Sequence, residues 1–148
     1  MSYKAFEFSL RTEYVFAEDA IEALKTQLEK HQPKKPFVLA IDFMVHIPTK
    51  ALEDLGIPYV LRTDVISNPT DVYVNSCAAQ ASAEGCDFVI GIGGGSVIDS
   101  CKTVAMLTAN PTEGGIWDYV SFSKEPKNPA LPVGLEVTIP SIGSESNP

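Results

Sequence analysis

Phe88-Val89-Ile90-Gly91-Ile92-Gly93-Gly94-Gly95-Ser96-Val97-Ile98-Asp99-Ser100-Cys101-Lys102 is the stretch on which the fold of this chain turns. Residues 88–92 are apolar without alternation, the pattern of a strand buried on both faces, as in a parallel sheet. Three glycines and a serine follow. Val97, Cys101, Val104 and Leu107 then form one stripe, predicting a helix over Val97–Ala109 that Asn110-Pro111 ends. Glycines lack a Cβ, so a ligand can approach their backbone closely. The first N–H groups of the helix have no partner inside it. With the helix dipole they make a site for an anion, best a phosphate or pyrophosphate. Gly93, Gly94, Gly95 and Ser96 are therefore the first candidate site residues, with Ser96 either capping the helix or bonding the phosphate. A tight turn that binds nothing is the plainer alternative. Three consecutive glycines cost backbone entropy, however, and a turn that needs only one of them explains them poorly.

The turn lacks the Gly-Lys-Ser/Thr ending of a P-loop. It also departs from the Gly-x-Gly-x-x-Gly fingerprint, because Ser96 stands where the third glycine belongs, and it follows a later strand than the first. Asp99 and Lys102 come three and six residues after Ser96, near the same helix face. Asp99 reads as an acceptor in the site or as an acid favoured by the helix N-terminus. Lys102 reads as a ligand contact, a partner of Asp99, or a surface lysine.

Upstream, Lys4–Leu10 alternates somewhat and predicts a strand. Glu18–Lys30 predicts a helix, with Ile21, Leu24 and Leu28 inward and Glu18 and Asp19 in the first turn. Residues 31–36, HQPKKP, stop it. Phe37–Ile41 is a second continuous apolar run, ending at Asp42. An acid at a strand's C-terminal end can accept bonds from a ribose, favouring NAD over NADP; a solvated loop acid is the alternative. A short helix is expected from Pro48 to Gly56, with Ala51, Leu52 and Leu55 inward, and a strand at Pro58–Leu61. Ser67–Asp71 is turn chemistry, with Thr70 as helix N-cap, and Val72–Glu84 reads as a helix closed by Gly85. Downstream, 112–132 reads as irregular, with one aromatic knot at Ile116–Tyr119, and a strand is expected at Leu135–Ile139. Strands alternating with helices imply an α/β fold with a mostly parallel sheet and helices on both faces.

The chain has 148 residues, 45% hydrophobic and 20% charged, consistent with one globular domain. Its net charge of −8 repels phosphate backbones and anionic lipid, so nucleic acid and membrane surfaces are not expected partners. No run approaches the roughly 20 apolar residues of a membrane span, and the first residues do not resemble a secretory signal. Cys77, Cys86 and Cys101 are widely spaced and odd in number, which suits unpaired thiols and a cytoplasmic protein. Two histidines, His31 and His46, leave little for a histidine-rich metal site.

Gly93–Lys102, read as GGGSVIDSCK, resembles the GGGSxxDxxK signature of the iron-containing (group III) alcohol dehydrogenases. Asn68-Pro69-Thr70, Trp117-Asp118-Tyr119 and Thr138–Asn147 (TIPSIGSESN) resemble three further segments of that family in the same order, closest to its butanol dehydrogenase branch. The resemblance implies that residues 1–148 form a Rossmann-like N-terminal dinucleotide-binding domain. In the family that domain is paired with an all-helical domain carrying the metal ligands, which is expected to be absent here. It further implies that Gly94, Gly95 and Ser96 hold the pyrophosphate, that Asn68, Asp99, Thr138 and Ser144 flank the cofactor, and that Asp42 favours NAD, with NADP the alternative. Family members use iron or zinc, for which no site is expected in this chain. Two departures stand out. The family's FGxG turn reads Phe16-Ala17-Glu18-Asp19, and the segment from Asp42 to Gly56 is short. The expected function is thus the nucleotide-binding portion of an alcohol/aldehyde hydride-transfer enzyme, inactive by itself. A non-catalytic module, homo-oligomeric or covered by a partner where the second domain would sit, is the alternative. Glycerol dehydrogenase or dehydroquinate synthase types fit less well, given the Gly-Ser-Glu-Ser segment.

Overall fold

A computed structural model describes residues 12–139 and 143–146. The expected strand at Lys4–Leu10 lies outside them. Four parallel strands form one sheet in the order β2-β1-β3-β4. The central pair is β1 (Pro36–Ala40) and β3 (Phe88–Gly93), both buried throughout, as their continuous apolarity required. The flanking strands β2 (Val60–Arg62) and β4 (Val133–Val137) are mostly half-buried.

Alternate residues of the strands face opposite layers. Val38, Ala40, Ile90 and Ile92 pack against α1 (Ala20–His31) and α2 (His46–Asp54), through Leu28, Ile47, Ala51 and Leu52. Phe37, Leu39 and Val89 pack against α3 (Asp71–Ala83) and α4 (Gly95–Ala109), through Cys77, Ala81, Cys101 and Val104. Helices therefore cover both faces. All three cysteines are buried and unpaired, and burial pushes each thiol pKa up. Gly91 is required for this layering: a Cβ there would lie 2.5 Å from Cys101 Sγ and 3.0 Å from a Leu135 methyl.

Several boundaries move, each for a local reason. Glu18 stands outside α1. Asp19 is its N-cap, accepting from the N–H groups of Ile21 (3.0 Å) and Glu22 (3.1 Å). Thr70 caps α3 as expected, accepting from Tyr73 N–H at 3.3 Å. α2 starts at His46 rather than Pro48, because a proline is tolerated in the first turn, where N–H groups lack partners anyway. β2 begins after Pro58 and Tyr59. β4 spans 133–137 rather than 135–139, because its ladder follows β3: Val133 pairs with Val89 and Val137 with Gly93, where β3 ends. The aromatic knot is a short helix, α5 (Ile116–Val120), entered through Gly115 at φ 60°. Asn110 ends α4 and organises the following loop. Only 5% exposed, it accepts from Lys127 N–H (2.9 Å) and Asn128 N–H (2.8 Å) and donates to the Met106 and Asn128 carbonyls. Among the described residues no helix is long and apolar enough to cross a membrane.

Candidate functional site

From β1 the chain passes to β2 on one side and later to β3 on the other. That reversal opens a crevice beyond the C-terminal ends of β1 and β3, where α/β sheets bind ligands. The glycine turn sits there. Gly93 ends β3 at φ 158°, and a Cβ on it would come 2.5 Å from Val97 Cγ2. Gly94 differs. It is the N-cap of α4 at φ −92° and ψ −163°, a conformation open to any residue, and a Cβ there would meet nothing within 4 Å. Neither packing nor backbone conformation asks for a glycine at 94.

The Gly94 carbonyl accepts from Val97 N–H (3.0 Å) and Ile98 N–H (3.2 Å), closing the first turn. Gly95 and Ser96 begin the helix, so their amides have no carbonyl within it to bond. These amides, beside the vacant space at Gly94 and the positive end of a helix dipole, fit an anion of phosphate type. A dinucleotide pyrophosphate satisfies that requirement. Ser96 is not the cap. Its Oγ accepts the Asn68 N–H at 3.2 Å and so ties the Asn68-Pro69-Thr70 turn to α4.

Other predicted residues gather on the same rim. Thr138 N–H donates to the Gly93 carbonyl at 3.2 Å, placing the end of β4 beside the glycine turn. Lys102 Nζ donates to the Ser144 carbonyl at 2.6 Å, and Ser144 is 2% exposed. Lys102 thus fastens the 143–146 turn to α4. Burial lowers its pKa, while Asp99 and Glu145 oppose the shift. Asp99 is exposed one turn into α4, its carbonyl accepting from Thr103 Oγ1 at 2.8 Å. Asp42 opens a 3-10 turn (Asp42–Met44) just past β1, with its side chain exposed. The adjoining Ile41 N–H donates to the Ile92 carbonyl at 3.3 Å, which puts Asp42 on the lip of the β1/β3 crevice.

Sequence reasoning missed Glu136. It lies opposite Ile92 in the ladder, where burial raises its carboxyl pKa and His46 draws it partly back. A cavity of about 540 Å³ opens there between α1 and β4, floored by Ile90 and Ile92 and lined by Leu24, Phe16, Glu136 and Glu145. An acid between Leu135 and Val137 in a predicted strand was the available signal. A larger hollow of about 930 Å³ lies among Asn110–Asn128, where α4 ends. It is remote from the glycine turn, since a 15-residue helix is about 22 Å long. Among the described residues no three of His, Cys, Asp and Glu come together in a way that could hold a metal.

Comparison with known proteins agrees with this geometry. Residues 11–148 match the family model described as iron-containing alcohol dehydrogenase. The chain is 37% identical over 101 residues to the mitochondrial hydroxyacid-oxoacid transhydrogenase of Caenorhabditis briggsae, covering 66% of this chain and 22% of that protein. It is 30% identical over 145 residues to NADH-dependent butanol dehydrogenase B of Clostridium acetobutylicum, covering 95% of this chain and 36% of that one. The crystal structure of NADH-dependent butanol dehydrogenase A from Thermotoga maritima superposes with a TM-score of 0.86 at 29% identity, covering 97% of this chain and 37% of that one. The chain thus spans well under half the length of these relatives. With its glycine turn on the crevice of a parallel α/β sheet, the chain belongs to the iron-containing alcohol dehydrogenase family.

Proposed function

We propose that this chain binds NAD(H), as the nucleotide-binding portion of an iron-type, NAD(P)-dependent alcohol dehydrogenase. The observation that carries the reading is Gly94, a glycine with room for a Cβ and no strained backbone, next to two amides without helical partners. A ligand that packs against the backbone explains a residue the fold does not require. The Gly95 and Ser96 amides bind the pyrophosphate. Asp42 accepts from the adenosine ribose, and its charge repels the extra phosphate of NADP. Asn68, Thr138 and Ser144 wall the crevice, with Asp99 at its edge. Lys102 holds the wall through Ser144. NAD(H) bound here would supply a hydride acceptor or donor for an alcohol or aldehyde. The described residues offer no metal-ligand cluster, so no metal-assisted step is assigned to them.

Calorimetric titration of the purified chain with NAD⁺ and NADP⁺ tests this. Saturable NAD⁺ binding is expected, with NADP⁺ weaker by roughly tenfold, the scale of one charge contact. Asp42→Asn should narrow that gap. No binding at millimolar NAD⁺ overturns the reading.

A second reading has its own observation. Trp117 is 64% exposed, and Phe122 is 92% exposed at φ 56°, unusual for a bulky residue. Together with Val120 they suit a self-association or partner surface, in keeping with a homo-oligomer. Sedimentation of the chain with and without Trp117→Ser decides whether this surface associates.

A further inference from the structure

Asn68 has a backbone at odds with its sequence. It precedes Pro69, which biases a residue toward extended conformations, yet it stands at φ 54° in the left-handed region. Its N–H is held by Ser96 Oγ at 3.2 Å. Asn68 lies in the loop after β2 and Ser96 in the first turn of α4, after β3, and this hydrogen bond joins the two.

A serine hydroxyl has one proton to give and two lone pairs to receive. At Ser96 a lone pair receives Asn68, so the proton remains available to an anion at the glycine turn. A donor already polarised by the ligand becomes a different acceptor for the next group in the chain, because hydrogen bonds in series strengthen one another. We propose that Ser96 is a positioning residue that couples occupancy of the glycine turn to the left-handed conformation of Asn68. The inference rests on the dinucleotide reading above and extends it: the phosphate orders a wall of its own pocket through Ser96. Asn68 begins the turn that leads into Thr70, the cap of α3, so the ordered segment is continuous with a helix of the core.

Amide hydrogen exchange at Asn68 reads the coupling directly. In the intact 148-residue chain, saturating NAD⁺ should slow exchange at Asn68 by roughly tenfold, the effect of tightening one hydrogen bond. Ser96→Ala should speed exchange at Asn68 without ligand, remove the ligand-induced slowing, and weaken NAD⁺ binding roughly tenfold or more. Ser96→Thr keeps the hydroxyl and should restore both readouts to within about threefold. A merely structural serine would not give a ligand-dependent signal at Asn68. If the wild-type chain binds NAD⁺ but exchange at Asn68 does not respond, the coupling is overturned and the cofactor reading stands. If the wild-type chain binds no NAD⁺, the cofactor reading falls and takes the coupling with it. Should Ser96→Ala fold poorly, the wild-type measurement and Ser96→Thr still decide the matter.

Discussion

Gly93 and Gly94 are neighbours with opposite structural demands, and substituting alanine at each separates folding from binding. At Gly94 an added methyl meets no atom within 4 Å, and φ −92° suits alanine. The folded state should tolerate it: the gain of about 0.4–1 kcal/mol from a stiffer unfolded chain is offset by the preference of an N-cap for glycine over alanine, leaving a net change within about 1 kcal/mol. In a chain of this size that is a shift of no more than about 4 °C in Tm. The same methyl would project into the space through which a phosphate approaches the Gly95 and Ser96 amides. Hydrogen bonds to a charged group contribute about 1.5–3 kcal/mol each. Loss of one to two of them corresponds to an affinity loss of roughly tenfold to a thousandfold or more. At Gly93 the methyl lies 2.5 Å from Val97 Cγ2, so Gly93→Ala should lose about 1–3 kcal/mol by overpacking, whatever happens to ligand. The assay pairs urea denaturation with calorimetric NAD⁺ titration on both variants. A stable Gly94→Ala chain that binds NAD⁺ as well as wild type refutes the idea that this glycine exists for a ligand. A Gly94→Ala chain destabilised as much as Gly93→Ala would show that the turn is tighter than the geometry indicates.

Gly91→Ala should destabilise the chain by about 1–3 kcal/mol, because its Cβ would sit 2.5 Å from Cys101 Sγ. Cys101→Ala in the same chain should recover part of that loss, and a double-mutant cycle in urea measures the coupling. Glu136 gives a pH dependence with a definite sign. Its folded-state pKa is raised, so in the window just above the ordinary glutamate value the folded chain holds the proton more tightly than the unfolded chain. Stability attributable to this group is present below that window and lost as pH rises through the folded pKa. Glu136→Gln should therefore raise Tm at pH 7 and leave it nearly unchanged at pH 4. A gain of equal size at both values would mean that the carboxylate's charge is not the cause.

The layered α/β architecture was legible in the sequence because its two central strands are continuously apolar. A run such as Phe88–Ile92 has no polar face to turn to water, so it must be covered on both sides. Thr70 as a cap and Asn110 as a helix stop were also readable, since both act on neighbours a few residues away. The place of the glycine turn between a buried strand and a helix was legible for the same reason: strand end, glycines and helix start are contiguous in the chain.

The tertiary structure decided whatever depends on residues far apart in sequence. The register of β4 follows β3, more than 40 residues upstream, so local pattern misplaced its ends. The glycines at 91, 93 and 94 look alike in sequence. Only the positions of Cys101, Leu135 and Val97 show that two are required by packing and the third is not. Ser96 read as a cap or a phosphate contact, and Lys102 as a ligand contact, a partner of Asp99 or a surface lysine, because position along a helix start allows all of these. In space their polar atoms meet Asn68, 28 residues away, and Ser144, 42 residues away. Sequence determines a residue's local conformational options and its need for burial. Which distant atom satisfies a given hydroxyl, ammonium or missing Cβ is settled only when the strands have paired and the helices have packed.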